Sequence, residues 1–460
     1  MIGHLLRPEL EELIHSKQWD VLRQALSQFH PSDIAEILVD IPEADDGPVF
    51  RVLPRELAGQ VFAYLPSHHQ EMLVRSVSNE QMRSLLNEMS PDDQTRVLEE
   101  LPPEVTRRLL ASLSPSELQA ARDLLGYPPH SAGRYMTPEY VAIRADMTAR
   151  QALDHVRQTG RGKETVNVLY VLDETGKLVE DLRLGSLVMA EPEVAVRDIH
   201  EAPLVALTAT ADREDVLRTF EKYDRIALPV TDHDGNMLGI ITIDDILDVA
   251  SKEATEDIQK IGGMEALDAP YLEVGYRKML RKRGGWLSVL FLGEMLTATA
   301  MGYFEDEIAK AVVLALFVPL IISSGGNSGS QAATLIVRSL ALGELRLRDW
   351  LRVLGRELCT SLTLGTWLGF IGFIRIAVWH HFGWVNYSDH FLLVGATVWL
   401  TLIGVVCFGS ITGSMLPFLL RRLGFDPATS SAPFVATLVD VTGLVIYFSI
   451  AYVILRGTLL

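Results

Sequence analysis

Residues 433–448 read PFVATLVDVTGLVIYF, from Pro433 to Phe448, and Asp440 is their single charge. The stretch lies inside a longer apolar run, 432–455, which has the roughly 20 residues a helix needs to cross a hydrocarbon core. An ionisable group at that depth is costly and normally faces a bundle interior or a water-filled cavity. Thr437, Thr442 and Gly443 lie close to it in sequence, and no basic residue of the segment can neutralise it. The segment reads as a spanning helix that carries a functional carboxylate.

Four more segments have the same character: 286–303, 311–337, 358–380 and 391–420. Arg281, Lys282 and Arg283 precede the first, whereas the loop after it reads YFEDEIAK. Arg338, Arg346, Arg348, Arg352 and Arg356 follow the second, and Arg421 and Arg422 follow the fourth. Cytosolic loops carry the excess of Lys and Arg, so five spans put the N-terminal part inside and the C-terminus outside. An odd number of spans encloses a pore poorly in one chain, which favours a homodimer.

Within the second span, residues 319–331 read PLIISSGGNSGSQ. Pro319 and the small residues are expected to interrupt the helix and expose carbonyls that line a cavity. Close helix packing through Gly and Ser is the alternative. Asn327, Gln331 and, in the first span, Glu294 are further candidates for a polar path. A carboxylate contributed by each of two subunits would form a small ring that selects cations. Mg²⁺ suits such a ring because it dehydrates reluctantly and can be held through its waters.

Upstream of the spans the balance of charge changes. Of 460 residues with net charge −18, residues 1–262 hold 26 Lys+Arg against 46 Asp+Glu, and the remainder 15 against 13. An acidic part without a basic stripe disfavours nucleic acid as a partner and suits divalent cations, although acidity also serves solubility. Cys359 and Cys407 sit in apolar segments without metal-ligand spacing, so neither a disulfide framework nor a zinc site is expected. The opening MIGHLLRPELEELI lacks a basic n-region followed by an apolar h-region, so no cleaved signal peptide is expected. No nucleophile–base motif or HExxH is visible, and the glycine-rich 325–329 lacks the Lys of a phosphate loop, so an enzyme is not expected.

Residues 1–128 place Pro, Ser or Asp ahead of short amphipathic runs, as in HPSDIAEIL, SPDDQTRVLEEL and PPEVTRRLLASL. These are capped short helices that bury their apolar faces only by stacking, giving an α-helical N-domain. A twofold repeat follows. YMTPEYVAIRADMTARQALDHV opens one copy and APLVALTATADREDVLRTF the other, each a strand, a turn and a helix. They continue as VNVLYVLDETGKLVEDLRLGSLV and IALPVTDHDGNMLGIITIDDILDV, strand pairs around Gly176 and Gly235. The repeat resembles a tandem of α/β CBS domains, 129–198 and 199–250. Gly239, Thr242 and Asp245 resemble the segment with which such modules hold a nucleotide, whereas the first copy has Glu180, Asp181 and Leu182.

Beyond the repeat, in 244–280, Asp244, Asp245, Asp248, Glu253, Glu256 and Asp257 recur every few residues, and on a helix they share one face. A solvated face is the ordinary explanation. Charges at that density repel unless a cation sits between them.

Helical N-domain, CBS tandem, acidic helix, PLIISSGGNSGSQ and PFVATLVDVTGL, in that order, resemble the MgtE family of bacterial magnesium channels over essentially the whole chain. The resemblance implies a multi-domain protein with an all-α membrane domain of five transmembrane helices, 281–460, in the cell membrane. It implies a homodimer whose pore holds hydrated Mg²⁺ at Asp440 with the backbone near Ala436. It implies that the helix from Asp244 to Glu265 is a plug governed by cytosolic Mg²⁺ at Asp212, Glu214, Asp224, Asp245, Asp248, Glu253, Glu256 and Asp257. Asp92 and Asp93 in the N-domain and Asp426 before the last span join that regulatory set, and ATP is an additional candidate ligand of the CBS domains. The rival expectation is a membrane-anchored nucleotide sensor that does not conduct.

Overall fold

The computed structural model describes residues 9–459 apart from 11, 112, 200, 268–270, 273, 386, 388 and 389. The chain forms two compact units, Met1–Ser251 and Lys252–Leu460.

The first unit begins with short helices, none of which would persist alone at eight to eleven residues. Their starts are written in the sequence. Pro31, Pro91, Pro103 and Pro115 occupy the first turn, where a missing N–H costs nothing. Ser78 with Gln81 and Ser114 with Glu117 close capping boxes. The apolar faces meet in one core that includes Leu22, Ile34, Phe62, Leu86, Leu98 and Leu109. One of these helices, α1 (Pro91–Glu100), carries Asp92 and Asp93 in its first turn.

The repeat then yields two three-stranded sheets. The first is β1 (Ala142–Arg144), β2 (Val168–Leu172) and β3 (Leu178–Arg183), with α2 (Ala149–Thr159) between β1 and β2. The second is β4 (Leu207–Thr208), β5 (Ala227–Thr231) and β6 (Met237–Thr242), with α3 (Arg213–Tyr223) between β4 and β5. In both, the first pair is parallel and the second antiparallel. Both hairpins turn in the same way: Asp173 Oδ1 accepts from the N–H of Thr175 and Lys177, and Asp232 Oδ1 from that of Asp234 and Asn236. Gly176 and Gly235 follow with φ of +88° and +85°, a region open to glycine. The two turns also bond to each other, Leu178 N–H to Gly235 O at 3.0 Å and Met237 N–H to Gly176 O at 3.3 Å.

From β6 the chain enters α4 (Ile243–Ile261), a single helix that bears the acidic stripe and runs through the division between the units.

Among the described residues, the second unit has five helices long and apolar enough to cross a membrane. They are α5 (Tyr276–Tyr303), α6 (Val318–Ala341), α7 (Trp350–His381), α8 (Phe391–Arg422) and α9 (Ala432–Leu455). The expected interruption at 319–331 is absent: this stretch is regular helix within α6, with Pro319 in its first turn. The irregular backbone falls earlier, at Ala311 between two short helices and at Leu316 and Phe317 between the second of them and α6. A proline in the first turn starts a helix rather than breaking it, and the small residues serve contact with α8. An added Cβ at Gly409 would lie 2.3 Å from Gly325 O, and one at Gly413 would lie 2.1 Å from Gly329 O. Ser328 and Ser410 hydroxyls join the same seam at 2.7 Å. Small-residue packing is therefore what this segment does. Helix α9 lies against α6 and α8, whereas α5 packs chiefly on α9 and has no buried side chain.

Candidate cation sites

Asp440 sits two turns into α9 and is half-buried. Its carboxyl lies beside Glu294 of α5, within hydrogen-bonding reach. Two carboxylates in contact repel unless a proton or a cation lies between them. Arg375, the one Arg within an apolar run, stacks over Trp379 of its own helix at 4.1 Å. The hydroxyls of Thr437 and Thr442 bond to carbonyls one turn back, Pro433 O at 3.0 Å and Leu438 O at 2.9 Å. Ala436 is half-buried one turn before Asp440 and faces Gly326 of α6. Asn327 and Gln331 share an exposed flank of α6, and Asn327 bonds to Ser323 Oγ at 3.4 Å. In one chain, then, Asp440, Glu294 and Ala436 lie near the α5, α6 and α9 contacts, and Asn327 and Gln331 remain at the surface.

A second group of carboxylates lies in the first unit. Asp92 is 8 % exposed and its Oδ1 has no hydrogen-bond partner. Burial, then the adjoining Asp93, pushes the Asp92 carboxyl up to about 6. Asp245, in the first turn of α4, is pushed up to about 8 by burial and by Asp92, although Thr242 Oγ1 donates to its Oδ2 at 2.8 Å. Glu164, in the loop after α2, is raised to about 7 by burial and by Asp92 and Asp244. Asp93 and Asp248 are partly neutralised by Arg96, which pairs with Asp93 and reaches Asp248 Oδ2 at 3.2 Å. The resemblance pointed to Asp92 and Asp93 and the acidic stripe to Asp245 and Asp248, whereas nothing in the sequence singled out Glu164, which lies in a polar loop with no spacing signal. Among the described residues no three His, Cys, Asp or Glu side chains converge as a metal cage.

The remaining expected ligands are dispersed. Asp212 caps α3 by accepting from Glu214 N–H at 2.9 Å, and Glu214 pairs with Arg218 at 3.0 Å. Asp224 ends the same helix with φ of +48°, so at about 1.5 Å per residue it stands far from Asp212. Glu253, Glu256 and Asp257 lie on α4, and Glu256 pairs with Lys260 at 2.7 Å. Asp426 caps the turn Pro427–Thr429 before α9 and also meets Lys260. Among the nucleotide candidates, Gly239 is required by packing, since an added Cβ would lie 2.6 Å from Thr137 O, and Thr242 and Asp245 bond to each other.

Comparison with known proteins gives the class first. Residues 318–450 match the family model for MgtE, described as a divalent cation transporter, 29–130 match the MgtE intracellular N domain, and 132–190 and 196–252 match the CBS domain. With five apolar helices, the chain is a membrane-inserted divalent cation transporter with its N-terminal domains in the cytoplasm. It is 42% identical over 334 residues to the magnesium transporter MgtE of Thermus thermophilus, covering 73% of this chain and 72% of that one. It is 34% identical to the magnesium transporter MgtE of Enterococcus faecalis, with 73% and 71% covered. The chain belongs to the MgtE family of magnesium transporters. Among solved structures, the cytosolic domain of the Mg²⁺ channel MgtE in complex with ATP matches at 32% identity and TM-score 0.50, covering 52% of this chain and 98% of that one. The soluble part of a magnesium transporter matches at 27% identity and TM-score 0.51, with 55% and 99% covered.

Proposed function

We propose that this chain acts as a homodimeric Mg²⁺ channel whose pore site is Asp440 and whose gate responds to cytosolic Mg²⁺. The observation that carries the reading is the half-buried carboxylate of α9, with a second carboxylate, Glu294, as its neighbour. Two copies of Asp440 across a dimer axis, assisted by the backbone near Ala436, would attract a hydrated divalent cation. The dimer reading is supported by α5, none of whose side chains is buried within one chain. Asn327 and Gln331 are exposed on the flank of α6 and are available to such a path. An odd number of spans with the N-terminal domains inside is the support for a C-terminus outside.

The regulatory role rests on carboxylates that one chain leaves under mutual repulsion. Asp92 acts on both Asp245 and Glu164, and an ion held among them would bring together the start of α1, the loop after α2 and the start of α4. Asp93, Asp212, Glu214, Asp224, Asp248, Glu253, Glu256, Asp257 and Asp426 are the further candidates. Ligand free energy would thereby bias a two-state plug, 244–280, between the cytosolic domains, 1–128 and 129–250, and the pore domain, 281–460. ATP is the candidate second ligand of the CBS pair, supported by the ATP complex of the related cytosolic domain. Transport rather than catalysis is the role.

Mg²⁺ flux into proteoliposomes tests both parts. Wild-type flux should fall as Mg²⁺ rises on the cytosolic face, and Asp440→Ala should abolish it in protein that remains folded. Flux through Asp440→Ala at the wild-type rate would remove the pore assignment. No wild-type flux at depleted Mg²⁺ would favour a nucleotide sensor that does not conduct.

A further inference from the structure

Two carboxylates named above as regulatory, Glu256 and Asp426, already share a cation that belongs to the chain. Lys260 Nζ lies 2.7 Å from Glu256 Oε1, one turn back on α4, and 2.6 Å from Asp426 Oδ2 in the turn before α9. The three side chains are 26 %, 28 % and 38 % exposed, too enclosed for the ion pairs of a freely solvated surface. Partial burial pulls the Lys260 ammonium down, but hydrogen bonds to Asp426 and Glu256 more than offset this and hold it well above the ordinary lysine value.

The neighbourhood shows what the contact positions. Helix α4 ends at Ile261, and the turn after it contains Gly263, whose φ of +74° suits glycine and whose added Cβ would lie 3.1 Å from both Pro433 and Trp286. Trp286, about three turns into α5, donates from Nε1 to Ser431 Oγ at 3.2 Å. Gln259 Oε1 accepts from Leu267 N–H at 2.6 Å, and Lys282 donates to Ala266 O. The end of the acidic helix is therefore seated at the start of α9, the helix that carries Asp440.

We propose that Lys260 is a tethered cation that latches the end of the acidic helix onto the loop before the last span in the absence of any divalent ion. It is a positioning residue, since it acts through Asp426 and Glu256 rather than on the transported ion. A divalent ion bridging Glu256 and Asp426 must displace the ammonium, so the response of this pair to Mg²⁺ is set by competition with a fixed internal charge. The importance of the latch for gating rests on the function proposed above, but its existence does not.

Hydrogen exchange on the full-length protein in EDTA separates the two. Lys260→Gln should speed exchange in 256–266 and 423–431 by roughly fivefold, as expected for loss of a partly exposed pair of contacts, while α8 is unchanged. Lys260→Arg should keep the wild-type rates. Unchanged exchange in Lys260→Gln overturns the latch. If that variant loosens throughout, Asp426→Asn becomes the test: local loosening supports the latch and none overturns it. Loosening that added Mg²⁺ reverses also supports Mg²⁺ binding at the exposed pair, whereas loosening that Mg²⁺ leaves untouched keeps the latch and counts against that pair as a regulatory site.

Discussion

Asp181 Oδ2 and Arg225 Nη1 meet at 3.0 Å between the two CBS domains, with side chains only 4% and 9% exposed. Burial raises the Asp181 carboxyl even though Arg225 opposes it. Its other oxygen has no partner, and neither does the hydroxyl of Tyr170, which stands opposite in the β2–β3 register. The pair thus fixes one domain to the other at a cost in desolvation.

Removing one partner should be far worse than removing both. Arg225→Met leaves a buried carboxylate uncompensated and should lower stability by about 3–5 kcal/mol. Asp181→Leu combined with Arg225→Met should recover most of it. Urea unfolding of the three variants measures this, and equal losses in the single and double variants would contradict it.

The carboxylates of Asp92, Glu164 and Asp245 have raised values of about 6, 7 and 8. An acid whose value is higher folded than unfolded binds more protons in the folded state across that interval, so stability falls as pH rises. In EDTA the protein should therefore melt at progressively lower temperature from pH 5 to pH 8.5. Mg²⁺ at pH 8.5 should restore the melting temperature if it bridges these groups, and a melting temperature that rises with pH would reject the sign.

The seam between α6 and α8 discriminates between glycines. Gly413→Ala brings a Cβ to 2.1 Å from Gly329 O, whereas Gly326→Ala meets Ala436 at an ordinary 3.5 Å. Thermal unfolding in detergent should show a loss on the order of 1–3 kcal/mol for Gly413→Ala, as for other overpacked sites, and little change for Gly326→Ala.

Asp212 separates capping from metal binding. Its Oδ1 accepts from Glu214 N–H, so Asp212→Ala should cost about 1 kcal/mol even in EDTA. Asp212→Asn or Asp212→Ser should retain the cap. A loss seen only when Mg²⁺ is present would instead make Asp212 a ligand.

The class of fold was legible because its signals are local. Pro and Ser at helix starts, the paired turns at Gly176 and Gly235, and runs of about 20 apolar residues each act within a few positions. The behaviour of 319–331 was not, since a proline that breaks a helix and one that begins it look alike until the preceding turn is known. The site was legible in part. Asp440 and the acidic face of α4 are conspicuous in sequence, but Glu164 joins Asp92 and Asp245 only through folding of distant segments. Lys260 was hidden for a further reason: among so many acids, it and Lys252 read as incidental.

Helix α5 has no buried side chain, and it carries Glu294 on an exposed face. An acidic residue at the centre of a spanning helix costs on the order of 2.5–3.5 kcal/mol to insert, and lipid returns nothing for it. On the proposed dimer, an unpaired copy would expose that cost at α5, so surveillance proteases of the membrane would have a physical basis for telling orphaned chains from assembled ones.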